Sequence, residues 1–296
     1  MITEINVTGA GAEIITPAKI NLTLAVGKKR SDGYHLISSV MMKIPLFDKV
    51  RVKKRADGAL TVKCGAPSIP DGEKNIAFKA AKLFFEKTGI SGGADITIEK
   101  NIPSCAGMGG GSSDAAAVIT ALDQLYGTGL EKNGKELFAL GESVGADVPF
   151  FLDAPSDISL CEGIGGDMTR LSGYEALSSA FSVVIAKGEK GASTRDVYAL
   201  FDTLPAKKHD ECALIRALSS GKTDGLPETL FNDLEDAAMM IVPEIMNLKV
   251  RMKSLGAHTA LMTGSGSAVF GLFEKNGSAE KAKEALLREG YFAKAL

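Results

Sequence analysis

Between positions 107 and 113 the chain reads Gly107-Met108-Gly109-Gly110-Gly111-Ser112-Ser113, and Asp114-Ala115-Ala116-Ala117-Val118-Ile119 follows without a break. Four glycines and two serines therefore run straight into a strong helix pattern. Backbone without Cβ atoms can wrap closely around a ligand. A helix starting there offers unpaired N–H groups and the positive end of its dipole. Together these form an anion site, and phosphate is the usual anion. A flexible connector is the plainer reading, but glycine density beside hydroxyls at a helix start favours phosphate. Ser112 and Ser113 are candidates to cap the helix or to touch a phosphate or a magnesium ion. Asp114, in the first turn, suits the dipole and reads as structural.

Several familiar phosphate loops are excluded. No Lys-Ser or Lys-Thr follows the glycines, so this is not a P-loop. Ser112 stands where the third glycine of a dinucleotide fingerprint belongs, and the loop lies too far along the chain. The His-Arg-Asp and Asp-Phe-Gly signatures of protein kinases are missing.

Bulk properties narrow the class. The 296 residues carry a net charge of -2, with 45% hydrophobic and 24% charged residues, as in soluble globular proteins. That balance gives no sign of binding nucleic acid or a membrane. The short basic runs 28–30 and 53–55 read as solvated loop or strand ends. Cysteines 64, 105, 161 and 212 form no CxxC pair, and with three histidines a zinc site is not expected. No secretory signal and no apolar run near ~18 residues is visible, so a cytoplasmic protein with free thiols is expected.

Apolar alternation at Ile20, Leu22, Leu24 and Val26 predicts a strand, with Lys19, Asn21, Thr23 and Ala25 on its other face. Further strands are expected at 36–44, 49–53, 59–64, 94–100, 181–186, 257–262 and 268–273. Helices are expected at 75–87, 112–126, 133–143, 194–201, 211–218, 243–255 and 279–288. The glycine-rich stretch 163–173 reads as a connector between two domains. Strands and helices interleave with plausible antiparallel neighbours, so the fold class is α+β.

Four more segments carry chemistry. In Pro17-Ala18-Lys19-Ile20-Asn21-Leu22, Lys19 and Asn21 share a strand face, about 6.5–7 Å apart. Lys19 is either a solvent-facing edge residue or a cation for a phosphoryl group. In Gly145-Ala146-Asp147-Val148-Pro149, Pro149 biases Val148 towards an extended conformation. Asp147 is then a turn residue or a base for a substrate hydroxyl, and the phosphate loop and Lys19 tip the reading to the base. Ser31-Asp32-Gly33-Tyr34-His35 is a turn whose Tyr34 and His35 are well set to stack on a planar ring such as a nucleobase. Finally, 262–270, with Gly264-Ser265-Gly266, is a second loop near the ligand or a plain hairpin.

These segments, in this order, resemble the GHMP kinase superfamily, which includes galactokinase, homoserine kinase and mevalonate kinase. Pro103, Ser104, Cys105, Ala106 and the residues Gly107, Met108, Gly109, Gly110, Gly111, Ser112 and Ser113 look like its nucleotide-binding motif, and 264–266 looks like its third motif. The Lys19, Asp32–His35 and Asp147 segments are most similar to the branch acting on 4-diphosphocytidyl-2-C-methyl-D-erythritol.

The resemblance implies a ribosomal-protein-S5-like N-terminal domain (1–165) and a ferredoxin-like C-terminal domain (166–296), with ATP and Mg²⁺ as cofactors. The partner it implies is a small molecule, cytidine diphosphate methylerythritol, and the protein would be a monomer or homodimer. Asp147 would be the base and Lys19 its catalytic partner. Tyr34 and His35 would hold the cytosine, Asn21 would lie near the erythritol or phosphate, and Thr194 would line the substrate pocket. The alternatives are another GHMP small-molecule kinase, for homoserine or mevalonate, and a non-catalytic sensor on the same fold. One departure stands out. Ser104 and Cys105 occupy positions where the family commonly has small residues such as glycine, which puts the backbone geometry at the start of the loop in question.

Overall fold

The computed structural model describes residues 4–296. One very long strand organises its first half. Where the sequence suggests two strands, His35–Arg55 runs as one, β4, with the shorter strands arrayed along its two edges. Its register against β2 (Gly11–Asn21) jumps from Pro17↔Phe47 to Ala18↔Ile44. Pro45 and Leu46 are thereby left out of the ladder, and a bulge is where a strand tolerates proline. β2 and β3 (Thr23–Lys29) lie end to end along one edge of β4, separated by a bend at Leu22. Along the other edge lie β6 (Gly93–Glu99) and β7 (Ile158–Gly163). The outer positions are taken by β1 (Glu4–Thr8), β5 (Leu60–Cys64), β8 (Asp167–Arg170) and the short β10 (Phe231–Asn232).

The second sheet has the order β11-β12-β9-β13, all antiparallel. It is built from β9 (Phe181–Lys187), the hairpin β11 (Thr259–Met262) and β12 (Val269–Glu274), and β13 (Phe292–Ala295). The order places the first and third of these strands at the centre. This is the ferredoxin-like arrangement that the resemblance implies.

Two apolar faces explain the layering. Ile14, Val50, Val52, Ile96 and Ile98 of the first sheet pack against α1 (Ile76–Thr88), α2 (Gly110–Tyr126), α3 (Gly134–Val144) and α4 (Val148–Leu152). Further along, Ile20, Leu22, Val40 and Met42 share a core with Ile185, Phe270 and Leu272 of the second sheet. The strand segment 18–25 is therefore covered on both sides, and its polar residues Lys19, Asn21 and Thr23 are as buried as its apolar ones. The remaining helices are α5 (Tyr174–Ala180), α6 (Thr194–Phe201), α7 (Ala213–Ser220), α8 (Glu235–Ile241), α9 (Glu244–Ser254) and α10 (Ser278–Arg288). Of these, α8, α9 and α10 pack on Val184, Ala186 and Phe273 of the second sheet.

Three local expectations are corrected. The stretch 163–173 is not a connector: β8 within it pairs with β7 and extends the first sheet to Arg170. Val148 is the first residue of α4 rather than extended. Pro149 falls in that helix's first turn, where a missing N–H goes unnoticed. Neither Ser112 nor Ser113 caps α2, which begins two residues earlier with Gly109 as its N-cap and without a side-chain cap.

Phe270 is fully buried in the core between the sheets. Phe270→Ala is expected to destabilise the protein by about 3–5 kcal/mol, the usual loss for a buried phenylalanine. Urea denaturation followed by far-UV circular dichroism measures it. A loss under 1 kcal/mol would mean that the sheets do not share this core.

Candidate active site

The glycine loop is held from three directions. The backbone N–H of Lys19 donates to the Met108 carbonyl at 3.0 Å, which ties the loop to β2. The loop between β11 and β12 closes on its other side: Ser267 and Ala268 N–H groups donate to the carbonyls of Cys105 and Ala106 at 3.3 and 3.2 Å. Gly107, at φ +72°, lies so close to this loop that a Cβ would sit 2.0 Å from the Thr263 carbonyl oxygen. Gly109, at φ +68°, faces the Phe151 ring, 2.9 Å from where its Cβ would be. The glycines thus permit close approach within the protein as well as to a ligand. Cys105 is the one non-glycine with positive φ among the described residues, at +49°. A left-handed conformation is unfavourable for cysteine, so the departure noted in the sequence falls where the backbone suits glycine.

Behind the loop lies a buried charge cluster that the motif reading did not identify. The Lys100 ammonium donates to Asp48 and, at 2.7 Å, to Asp114 in the first turn of α2. Asp48 also accepts the backbone N–H groups of Asn101 and Ile102 at 2.6 and 2.9 Å. It therefore fixes the chain as it enters the loop. Asp114 has the structural role expected of it. Burial pushes its carboxyl up to about 7; Lys100 opposes the shift and Asp48 adds to it. Its Oδ1 is buried without a hydrogen-bond partner.

All the loop residues from Pro103 to Ser112 line one cleft of about 1230 Å³. Ser113 does not. Its hydroxyl is fully buried, 2.6 Å from both Thr16 Oγ1 and the Pro17 carbonyl, and it anchors α2 to β2. The Met108 side chain is buried core. By helix geometry the first N–H groups of α2, at Gly110, Gly111 and Ser112, have no carbonyl partner within the helix. They form the anion-attracting end facing this cleft.

Lys19, Asn21 and Asp147 meet in the same cleft. Lys19 is 3% exposed, so the edge-residue reading fails. Its ammonium donates to Asn21 Oδ1 at 2.6 Å and lies 3.7 Å from Asp147 Oδ2. Asn21 is fixed in turn: its Nδ2 donates to Ser39 Oγ at 2.8 Å, and its backbone N–H donates to Thr263 Oγ1 at 3.0 Å. Asp147, the N-cap residue of α4, keeps 29% of its side chain exposed towards the cleft.

At the far end of the cleft stands the turn 30–34. Tyr34 is 61% exposed and free to receive a planar ring. His35 also lines the cleft but is largely buried, stacked on Tyr198 of α6 at 5.1 Å, with Nε2 2.7 Å from Asp202 Oδ1. Thr194, at the start of α6, lies 2.8 Å from Ser265 by their hydroxyl oxygens and lines the cleft as expected. Tyr198 and Asp202 were missed by the sequence reading. Tyr198 is one helical turn beyond Thr194, a spacing that would have pointed to it.

The sequence matches the GHMP kinases N terminal domain over residues 75–154 and the GHMP kinases C terminal domain over residues 214–292. With that fold and cleft, the chain belongs to the GHMP kinases. Among curated relatives it is 40% identical to the 4-diphosphocytidyl-2-C-methyl-D-erythritol kinase of Caldicellulosiruptor saccharolyticus, covering 91% of this chain and 90% of that one. It is 37% identical to the enzyme of the same name from Clostridium novyi, over 90% and 92% of the two chains. A solved 4-(cytidine 5'-diphospho)-2C-methyl-D-erythritol kinase superposes with a TM-score of 0.77 at 35% identity, covering 96% of this chain and 97% of the other. Homoserine kinase from Cytophaga hutchinsonii shares the fold, with a TM-score of 0.71 at 17% identity over 98% and 95% of the chains.

The Asp114 shift has a consequence for stability. A carboxyl raised to about 7 contributes stability below its ordinary value near 4 and loses it as pH rises through about 7. Asparagine does not titrate. The melting temperature of Asp114→Asn relative to the parent should therefore climb between about pH 4 and pH 7. A difference that stays flat across that range would contradict the assignment.

Proposed function

We propose that the protein is an ATP-dependent kinase that phosphorylates the 2-hydroxyl of 4-diphosphocytidyl-2-C-methyl-D-erythritol, a step of non-mevalonate isoprenoid precursor synthesis. One observation carries the reading. The buried Lys19 ammonium lies 3.7 Å from a cleft-facing Asp147, beside a glycine loop that opens a helix. The relatives at about 40% identity over nine-tenths of the chain support the choice of acceptor.

In this reading the N–H groups at the start of α2 and the backbone of the glycine loop hold the ATP phosphates. Asp147 accepts the proton of the acceptor hydroxyl as that oxygen bonds to the γ-phosphorus and the bond to the ADP oxygen breaks. Lys19 orients Asp147 and offsets the charge that grows on the transferring group. Asn21 holds Lys19 in position through its 2.6 Å hydrogen bond. Phosphoryl transfer rests mainly on such positioning and electrostatics. Tyr34 stacks on the pyrimidine, and Thr194 lines the pocket for the rest of the acceptor.

Mg²⁺ fits the donor set. Among the described residues no three His, Cys, Asp or Glu side chains gather as a cage. That suits an ion that arrives on phosphates, keeps several waters and needs one or two protein oxygens. The Ser112 hydroxyl, which lines the cleft, would supply one. When bound, the ion neutralises phosphate charge.

Asp147→Asn should lower kcat by about 10²–10⁴-fold while leaving ATP affinity within about twofold. Full activity in that variant overturns the role. ADP release measured with diphosphocytidyl methylerythritol, homoserine, mevalonate and galactose tests the acceptor; turnover confined to the last three would overturn it. Tyr34→Ala should raise the KM of the cytidine acceptor by about tenfold, the scale of one lost base–aromatic stack, and leave the KM of ATP nearly unchanged. Equal effects on both would remove Tyr34 from the pyrimidine end.

A further inference from the structure

The turn with Tyr34 and His35 belongs to the first sheet, whereas Tyr198 belongs to helix α6 from the second half of the chain. The pyrimidine end of the cleft is therefore assembled from two separate parts, and something must hold them in register. Asp202, the C-cap residue of α6, bridges them. Its Oδ1 lies 2.7 Å from His35 Nε2, and its Oδ2 accepts from the Lys29 ammonium at 2.5 Å. Lys29 and His35 are paired residues across the β3–β4 ladder, so one carboxylate grips both strands of the hairpin. Lys29, followed by the His35 contact, holds the Asp202 carboxyl below its ordinary range. The grip is reinforced by packing, with the His35 ring 5.1 Å from Tyr198 and edge-on to Phe201 at 6.3 Å.

We infer that Asp202 is a positioning residue for the pyrimidine end of the acceptor site, acting through His35. A carboxylate can only accept a hydrogen bond. Its contact therefore keeps the proton of the neutral imidazole on Nε2 and leaves Nδ1 bare. The ring is fixed in tautomer, in orientation and in its stack on Tyr198, and Tyr34, the next residue, is fixed with it. Asp202 touches neither the phosphate loop nor Lys19 and Asp147, so its influence is confined to the acceptor. The ligand class, a cytidine nucleotide, rests on the functional reading above; the grip itself does not.

The test uses the full chain and two readouts. With only three histidines, His35 can be assigned by ¹⁵N-labelled imidazole spectra of the free protein. In the neutral form of the ring, the parent should show the Nε2–H tautomer. Asp202→Ala should lose that single form, and Asp202→Glu should regain it. In the second readout, Asp202→Ala should weaken binding of cytidine 5′-diphosphate by calorimetry and raise the acceptor KM by about tenfold, the scale of one charge-assisted hydrogen bond. kcat and the KM of ATP should stay within about twofold. An imidazole unchanged in Asp202→Ala overturns the inference, as does an equal loss of ATP and acceptor affinity. If the parent binds no cytidine nucleotide, the functional reading falls. The spectra then decide the grip alone: a changed His35 supports it and an unchanged one overturns it.

Discussion

An ammonium group removed from water must find partners, and that requirement on Lys19 organises the centre of this molecule. Segment 18–25 runs between the helical layer and the second sheet, so neither face of the strand reaches solvent. Lys19 meets the requirement with Asn21 and Asp147. Directly across the ladder, Lys43 is buried too. Its ammonium donates to the Asp153 carbonyl at 2.7 Å and lies 5.4 Å from the centre of the Phe150 ring; burial pulls it down to about 8. Two adjacent lysines thus bracket the single turn of α4, one at Asp147 before it and one at Asp153 after it. A cation at a helix C-terminus is favourable. The exit of α4 is pinned by Lys43, and its entrance presents Asp147 to the cleft.

The two sheets are joined as much by polar contacts as by the shared core. Thr263 accepts the backbone N–H of Asn21 and lies 3.3 Å from both Asn21 Oδ1 and the Gly107 carbonyl. One hydroxyl at the edge of the second sheet therefore touches both β2 and the glycine loop. Asn232 secures this residue's surroundings by donating to the carbonyls of Met262 and Gly264, each at 2.8 Å. Relative movement of the sheets would disturb Lys19's neighbour and the glycine loop together.

Much of this was legible in the sequence, and the exceptions share a cause. The glycine run, the long amphipathic helices and three of the four ferredoxin-like strands carry strong local patterns, and they lie within a few residues of where those patterns put them. β7, α4, α5, α8 and β13 are only four to seven residues long. At that length, periodicity does not separate helix from strand. Lys19 was open to opposite readings because alternation shows which residues share a face, not whether another layer covers it. Ser113 was named for ligand contact, and it turns inward. Its hydroxyl is consumed by Thr16 and Pro17, partners at sequence separations that no local pattern reports.

The missing P-loop lysine can now be argued from charge. Two lysines flank the glycine loop in the cleft, Lys100 before it and Lys19 beneath it. Lys100 is held by two buried carboxylates. Its charge is spent on them, and an anion approaching it also meets Asp48 and Asp114. Lys19 has a neutral amide at 2.6 Å and a single carboxylate at the looser distance of 3.7 Å. Coulomb energy falls with distance and grows as water is excluded. Lys19 therefore projects more uncompensated positive charge into the cleft than Lys100, although Lys100 is nearer in sequence to the loop. The fold divides the two lysines: Lys100 fixes the loop's shape, and Lys19 carries the positive charge that the cleft offers to an anion.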